Sequence, residues 1–187
     1  MVQAPLANTQ EILLDDNDLI VSKTCTKGRI TYANRKFMAI SGFSEQQLLE
    51  QPHNIIRHPD MPKAVYRLMW QALKQGHEFF GFVKNLCSDG RFYWVFANVT
   101  PDIDDSGQIR GYYSVRRKAS TASITIISSL YQQMNSIERA GTGSIAIERS
   151  VDYLIRWLDN SKLDYCPAMI QLYRNGFLPE SSLCIEK

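Results

Sequence analysis

The segment Gln51-Pro52-His53-Asn54-Ile55-Ile56-Arg57-His58-Pro59-Asp60-Met61-Pro62 decides how the rest of the chain is read. It holds two of the three histidines and three of the seven prolines. Proline fixes its own φ, lacks an amide donor and pushes the preceding residue out of helical geometry. The segment therefore predicts a short helical turn and then a rigid loop, with its polar side chains held in defined places. A guanidinium and two imidazoles are donors suited to phosphate or another anion. The same residues also suit a solvated helix-capping loop with a fixed bend, and both readings stand on composition alone.

Upstream, Leu19 to Cys25 reads as a strand, Lys27-Gly28 as a turn and Arg29 to Tyr32 as a second strand, together a hairpin. Phe37, Met38 and Ile40 follow at helical spacing, with Gly42 at the helix end. Asn34 either caps that helix or turns its amide toward the interior. Ser44-Glu45-Gln46-Gln47 is a capping box that starts another short helix. Downstream, Lys63 to Gln75 is the clearest helix. Val65, Leu68, Met69, Ala72 and Leu73 share one arc, with Trp70 at its rim, where a flat ring fills the core edge or lines a cavity.

Strand signals then resume. Phe79 to Cys87 and Phe92 to Thr100 flank the hairpin signal Ser88-Asp89-Gly90-Arg91, and Gln108 to Arg117 follows the turn Asp104-Asp105-Ser106-Gly107. The prediction is an α+β domain: a five-stranded antiparallel sheet with short helices across one face and room for a pocket between the layers. Its expected bounds are residues 18–118, after an N-terminal arm, residues 1–17, read as mobile. In residues 119–187, Ile124, Ile127, Tyr131 and Met134 form one apolar seam. Ile147, Val151, Leu154, Ile155 and Leu158 mark a second helix, and Tyr165 to Arg174 a third. These stripes must bury against each other, against the α+β domain or against a second copy, so a homodimer is expected.

With 187 residues, 44% of them hydrophobic, the chain can build a substantial core. A net charge of +2 gives no argument for nucleic acid. The runs Arg35-Lys36 and Arg116-Arg117-Lys118 read as solvated helix and strand ends. Cys25, Cys87, Cys166 and Cys184 lie far apart with no C-x-x-C spacing, which argues against a zinc site or a disulfide framework and for free thiols in a reducing compartment. No apolar run is long enough to span a bilayer and no signal peptide stands at the N-terminus, so a cytoplasmic location is expected. No Gly-rich dinucleotide motif and no Ser/His/Asp or Cys/His arrangement stands out, so no catalytic or metal-ligating residue is assigned and no enzyme is expected.

Residues Leu19 to Arg117 resemble a PAS domain and, more narrowly, the PAS sensor of bacterial aerotaxis receptors. The resemblance is carried by Ile30-Thr31-Tyr32-Ala33-Asn34, Ser41-Gly42-Phe43, all of Gln51 to Pro62, Met69-Trp70, Gly81-Phe82-Val83-Lys84-Asn85, Asp89-Gly90, Tyr93-Trp94-Val95 and Gly111-Tyr112. It implies a non-covalently bound FAD that senses redox state or oxygen, with flavin-site positions at Asn34, His53, Arg57, His58, Asp60, Trp70 and Asn85. It also implies a chemoreceptor-like or kinase-like signalling partner.

The residue chemistry agrees: Trp70 can stack on a ring, Asn34 and Asn85 can meet a flavin edge, and Arg57 can fork onto phosphate. The membrane anchor, HAMP segment and signalling coiled coil of such receptors find no counterpart here, and residues 119–187 read as outside the resemblance. Other readings are a haem-binding gas sensor ligated by His53 or His58, a small flavin oxidoreductase, or a cofactor-free interaction module. A cysteinyl-flavin photoreceptor is disfavoured, because no cysteine falls in the helical segment facing the proposed ring.

Overall fold

In the computed structural model, which describes residues 10–159 and 161–178, the chain reverses at Gly28 between β1 (Ile20–Cys25) and β2 (Ile30–Ala33). The φ of +73° there is one that glycine adopts without a steric penalty. Helix α1 (Arg35–Ser41) starts at Asn34, whose Oδ1 accepts from the Phe37 amide at 3.0 Å. The expected capping box starts α2 (Glu45–Leu48), with both reciprocal bonds between Ser44 and Gln47 present. The proline-rich segment forms a 3-10 turn (His53–Ile56) and a loop leading into α3 (Lys63–Lys74).

Strands β3 (Phe79–Leu86), β4 (Phe92–Ile103) and β5 (Ile109–Lys118) complete a five-stranded antiparallel sheet of order β2-β1-β5-β4-β3. The two faces part by the period-two rule. On one face, Ser114 and Arg116 of β5, Ala97 and Val99 of β4, and Val83 and Asn85 of β3 look toward the short helices and line a cavity. On the other, Phe96 stacks on Tyr173 with ring centroids 4.1 Å apart, and Trp94 lies 6.1 Å from Tyr131.

That second face answers what buries the C-terminal stripes. Helices α4 (Thr121–Ala140), α5 (Gly143–Asp159) and α6 (Tyr165–Asn175) pack on the α+β domain of their own chain. Ile127, Leu154, Leu158 and Leu172 share one buried cluster with Val65, Phe82 and Phe96. Tyr131 also donates to the Phe82 carbonyl at 2.8 Å, covering part of the β3 edge. Ile155, assigned to the α5 stripe from sequence, is instead half exposed.

Helix α4 grips the proline-rich loop as well. Pro62 precedes α3 without a side-chain cap, and the cap comes from Glu138 instead, which accepts from the Lys63 and Ala64 amides at 2.8 and 2.9 Å. A carboxylate is favoured at a helix N-terminus.

The expected mobile arm is corrected for its described part. Ile12 N–H donates to Phe92 O at 2.7 Å, Phe92 N–H donates to Gln10 O, and Leu14 is buried beside Ile20. Residues 1–9 of that arm, residues 179–187 of the helical region and Cys184 lie outside the described residues. Cys25, Cys87 and Cys166 are free thiols. Among the described residues no helix is long and apolar enough to cross a membrane, and no cluster of side chains suits a metal.

Candidate functional site

Backbone pairing brings the distant site segments together. The turn docks on the first hairpin, where His53 N–H donates to Gly28 O at 2.9 Å and Pro52 bridges Arg29. The loop docks on the sheet, where Arg57 forms an antiparallel bridge with Asn85. Helix α3 then closes the space above, with Tyr66, Met69, Trp70 and Leu73 at i, i+3, i+4 and i+7 facing inward. The arc predicted from sequence is rotated from this one: Val65 and Leu68 turn toward the cluster that contains α5. The helix carries two apolar faces because it has a neighbour on each side.

The cavity, open to solvent on one side, measures about 290 Å³, near the lower end of the range for small-molecule sites. Its walls are mainly apolar, with Trp70 held edge-on to Tyr112 at 5.3 Å and packed beside Gly28. Lys27, Asn54 and Arg57 also contribute to its lining, and the Arg57 guanidinium lies 4.3 Å from the Tyr66 ring.

The sheet end of the cavity is polar and incompletely satisfied. Asn85 is buried and its Nδ2 has no hydrogen-bond partner among the described residues. Arg116 is only 2% exposed, and its Nε and Nη1 also lack partners. Its Nη2 donates to Ser22 Oγ at 2.6 Å, and its plane lies over Phe37, 4.4 Å from the ring centre. Burial pulls the Arg116 pKa down to about 10, which leaves it charged at neutral pH. Ser22 Oγ is in turn 3.0 Å from His53 Nε2. Ser22 accepts from Arg116, so its own proton is best used toward Nε2, and the imidazole proton then sits on Nδ1.

Both histidines are held neutral. Burial and then the neighbouring Arg116 lower His53 to about 3; burial and Lys84 outweigh Asp60 and lower His58 to about 4. In the unfolded chain each takes up its proton near pH 6.5. Below that pH the unfolded state binds more protons than the folded one, so stability is lost as pH falls from about 6.5 toward the folded values. We expect a loss of about 2 kcal/mol per histidine by about pH 5, above the range where most carboxylates protonate. Thermal melts of the unliganded protein between pH 7.5 and 5 check this, and a flat profile contradicts it.

Of the seven residues expected at the site, His53, Arg57, Trp70 and Asn85 meet at the cavity. Asn34, His58 and Asp60 do not line it. Three of the four hydrogen-bonding positions of the Asn34 amide are engaged: Oδ1 accepts from Val21 and Phe37, and Nδ2 donates to Leu19 O, which staples α1 to β1. His58 is buried against the Phe92 ring, and its Nδ1 accepts from Asp60 N–H. Asp60 pairs with Lys84 at 2.8 Å, and its carbonyl accepts from Asn135 of α4. These two shape the loop that carries Arg57.

Arg116 and Ser22 were missed. Arg116 does not belong to a solvated strand end; only Arg117 and Lys118 of that run are exposed. The signal that finds it is the two-residue alternation Tyr112, Ser114, Arg116 along β5.

The profile of the PAS fold matches residues 30–116. The aerotaxis receptor of Escherichia coli (strain K12) is 39% identical over 158 residues, 84% of this chain and 30% of that protein. This is a PAS domain of the aerotaxis receptor family. The nitrogen fixation regulatory protein of Klebsiella pneumoniae is 30% identical over 126 residues, 67% of this chain and 25% of that protein. A solved light-oxygen-voltage domain superposes with a TM-score of 0.53 at 18% identity, over 63% of this chain and 87% of that one, which shows the shared PAS fold. The chain spans between a quarter and a third of the length of the two curated relatives. A 158-residue match is longer than residues 1–118, so it runs on into the helical region. The expectation that residues 119–187 stand outside the family is thereby corrected.

Proposed function

We propose that this PAS cavity holds FAD without a covalent link and that the chain acts as a sensor of redox state or oxygen in aerotaxis-like signalling. One observation carries the reading: an apolar slot walled by an indole ends in buried donors, Asn85 Nδ2 and the Arg116 Nε and Nη1, that have no acceptor among the described residues. Buried donors are nearly always satisfied, so such a set suits a flat ligand with carbonyl acceptors at one edge. FAD supplies reversible two-electron chemistry when bound. In this reading Trp70 and Tyr66 flank the ring, Asn85 and Arg116 meet its polar edge, and Arg57 with Lys27 attracts the diphosphate.

In this reading the route to the output runs through the proline-rich loop. Asn85 is bridged to Arg57, and the loop after Arg57 is held by Asn135 and Glu138 of α4. A rotation of the Asn85 amide in response to the redox state of the ring would shift β3, and the loop would pass that shift to α4. A receptor and a regulatory protein among the relatives favour a sensor over an enzyme, with a chemoreceptor-like or kinase-like partner. A cytoplasmic setting belongs to the same proposal. Self-pairing would use the β1–β2 edge, where Leu19 and Tyr32 are exposed, since most of the helical stripe residues are already buried or packed within the chain.

Two alternatives lose support. Haem needs a free imidazole nitrogen in the cavity, whereas His53 Nε2 is held by Ser22, and His58 lies outside it. A flavin–cysteine adduct needs a thiol at the ring, and none of the described cysteines lines the cavity; Cys87 instead donates to Ile40 O.

Titrating flavin-free protein with FAD and with riboflavin tests the proposal. Hydrogen bonds to charged groups contribute about 1.5–3 kcal/mol, so Arg57→Ala should weaken FAD at least ~10-fold and leave riboflavin, which has no phosphate, nearly unchanged. Equal losses for both ligands would remove Arg57 from the diphosphate site, and no uptake of either would remove the flavin.

A further inference from the structure

We propose that Arg116 sets the reduction potential of the bound ring by offering an uncompensated positive charge to the form with the greater negative charge. The inference rests on the FAD reading and deepens it. Among the described residues, none of the ion pairs includes Arg116. It has one hydrogen bond, to the neutral Ser22, and a ring face beneath it, yet it lies almost wholly out of water at the cavity wall. A buried charge without a partner disfavours the state that contains it, and an anion beside it removes that cost. The neighbouring network cannot supply the anion, since Ser22 and a His53 proton-bearing at Nδ1 are both neutral.

Reduction supplies it. When bound, such a ring would accept two electrons from an external low-potential donor and one proton from solvent at N5, which would leave one negative charge over N1 and the C2 carbonyl; no bond to the protein would form or break. A guanidinium facing this edge binds the reduced ring more tightly than the oxidised one, which raises the potential. Ser22 acts as a positioning residue: its Oγ fixes the guanidinium fork, and His53, 3.0 Å behind it, fixes Ser22.

The test is the midpoint potential of the FAD-loaded chain, read by dithionite titration against a redox dye, for wild type, Arg116→Met, Arg116→Lys and Ser22→Ala. Arg116→Met is expected to lose at least about tenfold of the preference for the reduced ring, a fall of about 30 mV for a two-electron couple. Arg116→Lys, which keeps the charge, and Ser22→Ala, which only loosens it, should fall less. Melting of the flavin-free proteins gives a second readout. Removing an uncompensated charge should leave Arg116→Met at least as stable as wild type, because apolar replacements of buried charges are often neutral or stabilising.

A yellow Arg116→Met protein with the wild-type potential overturns this proposal and leaves the FAD reading intact. A wild-type chain that takes up no FAD overturns both. An Arg116→Met apoprotein that unfolds, or melts well below wild type, shows that the fold needs the charge and also contradicts the proposal.

Discussion

Replacing Trp70 with alanine should lower FAD affinity about 100-fold or more and yield a protein that isolates without colour. The indole stands between Gly28 and Tyr112 and forms one wall of the cavity. Its loss removes a stacking contact of about 1 kcal/mol beyond area burial. It also removes the apolar surface that would cover the ligand, at roughly 25 cal/mol per Å². Together these exceed the ~2.7 kcal/mol that a 100-fold change in Kd represents. Trp70→Phe keeps a flat ring on the same helical stripe and should stay within about tenfold. Trp70 is only partly buried, so the flavin-free alanine protein should remain folded, which melting checks. A Trp70→Ala protein that keeps its flavin at the wild-type level would place the ring elsewhere.

The largest effect on stability is expected at Gly111. A Cβ there would sit 2.2 Å from the Thr24 carbonyl oxygen and 3.3 Å from its carbon. That neighbour is the backbone of β1, so no rotamer change relieves the clash. Gly111 pairs with Cys25, and the adjacent pair, Thr24 with Tyr112, lines the cavity. Gly111→Ala must separate β1 from β5 at that end. We expect a loss of about 3 kcal/mol or more, the range of strained or overpacked core changes. That corresponds to a melting temperature lower by about 6–12 °C.

Gly107→Ala is the control. It meets open space but holds a φ of +79°, so it should cost only about 1 kcal/mol. Equal melting temperatures for the two variants would contradict the packing at β1–β5.

What could be read from sequence followed local chemistry. Gly42 as a helix end, the Ser44–Gln47 box and the extent of α3 all depend on residues a few positions apart, and each appears where expected. The strands were legible by the same reasoning, although β4 continues through Pro101 to Ile103, beyond the expected end. Non-local partners were not legible. Nothing near Asn34 says that its amide would be engaged by Leu19, Val21 and Phe37, because Val21 lies on β1 and Leu19 just before it, both distant in sequence. His58 and Asp60 sit in the same motif as Arg57, but the bend after the 3-10 turn points them toward Phe92 and Lys84 and away from the cavity.

Arg116 was hidden by its neighbours. A run of three basic residues suggests solvent, and only the alternation of a strand buried on both faces separates the first from the next two. The choice among the three possible burial partners of α4–α6 turned on the aromatic residues Trp94 and Phe96. They are the floor on which Tyr131 and Tyr173 pack, and nothing in the helical stripes themselves names them.

The most direct test of the central claim is the absorption spectrum of the natively purified chain, followed by the mass of whatever small molecule gentle denaturation releases. The account predicts a yellow protein with the two-band flavin spectrum and a released mass equal to that of FAD. A colourless protein, a haem Soret band or a released compound without the flavin ring would contradict it.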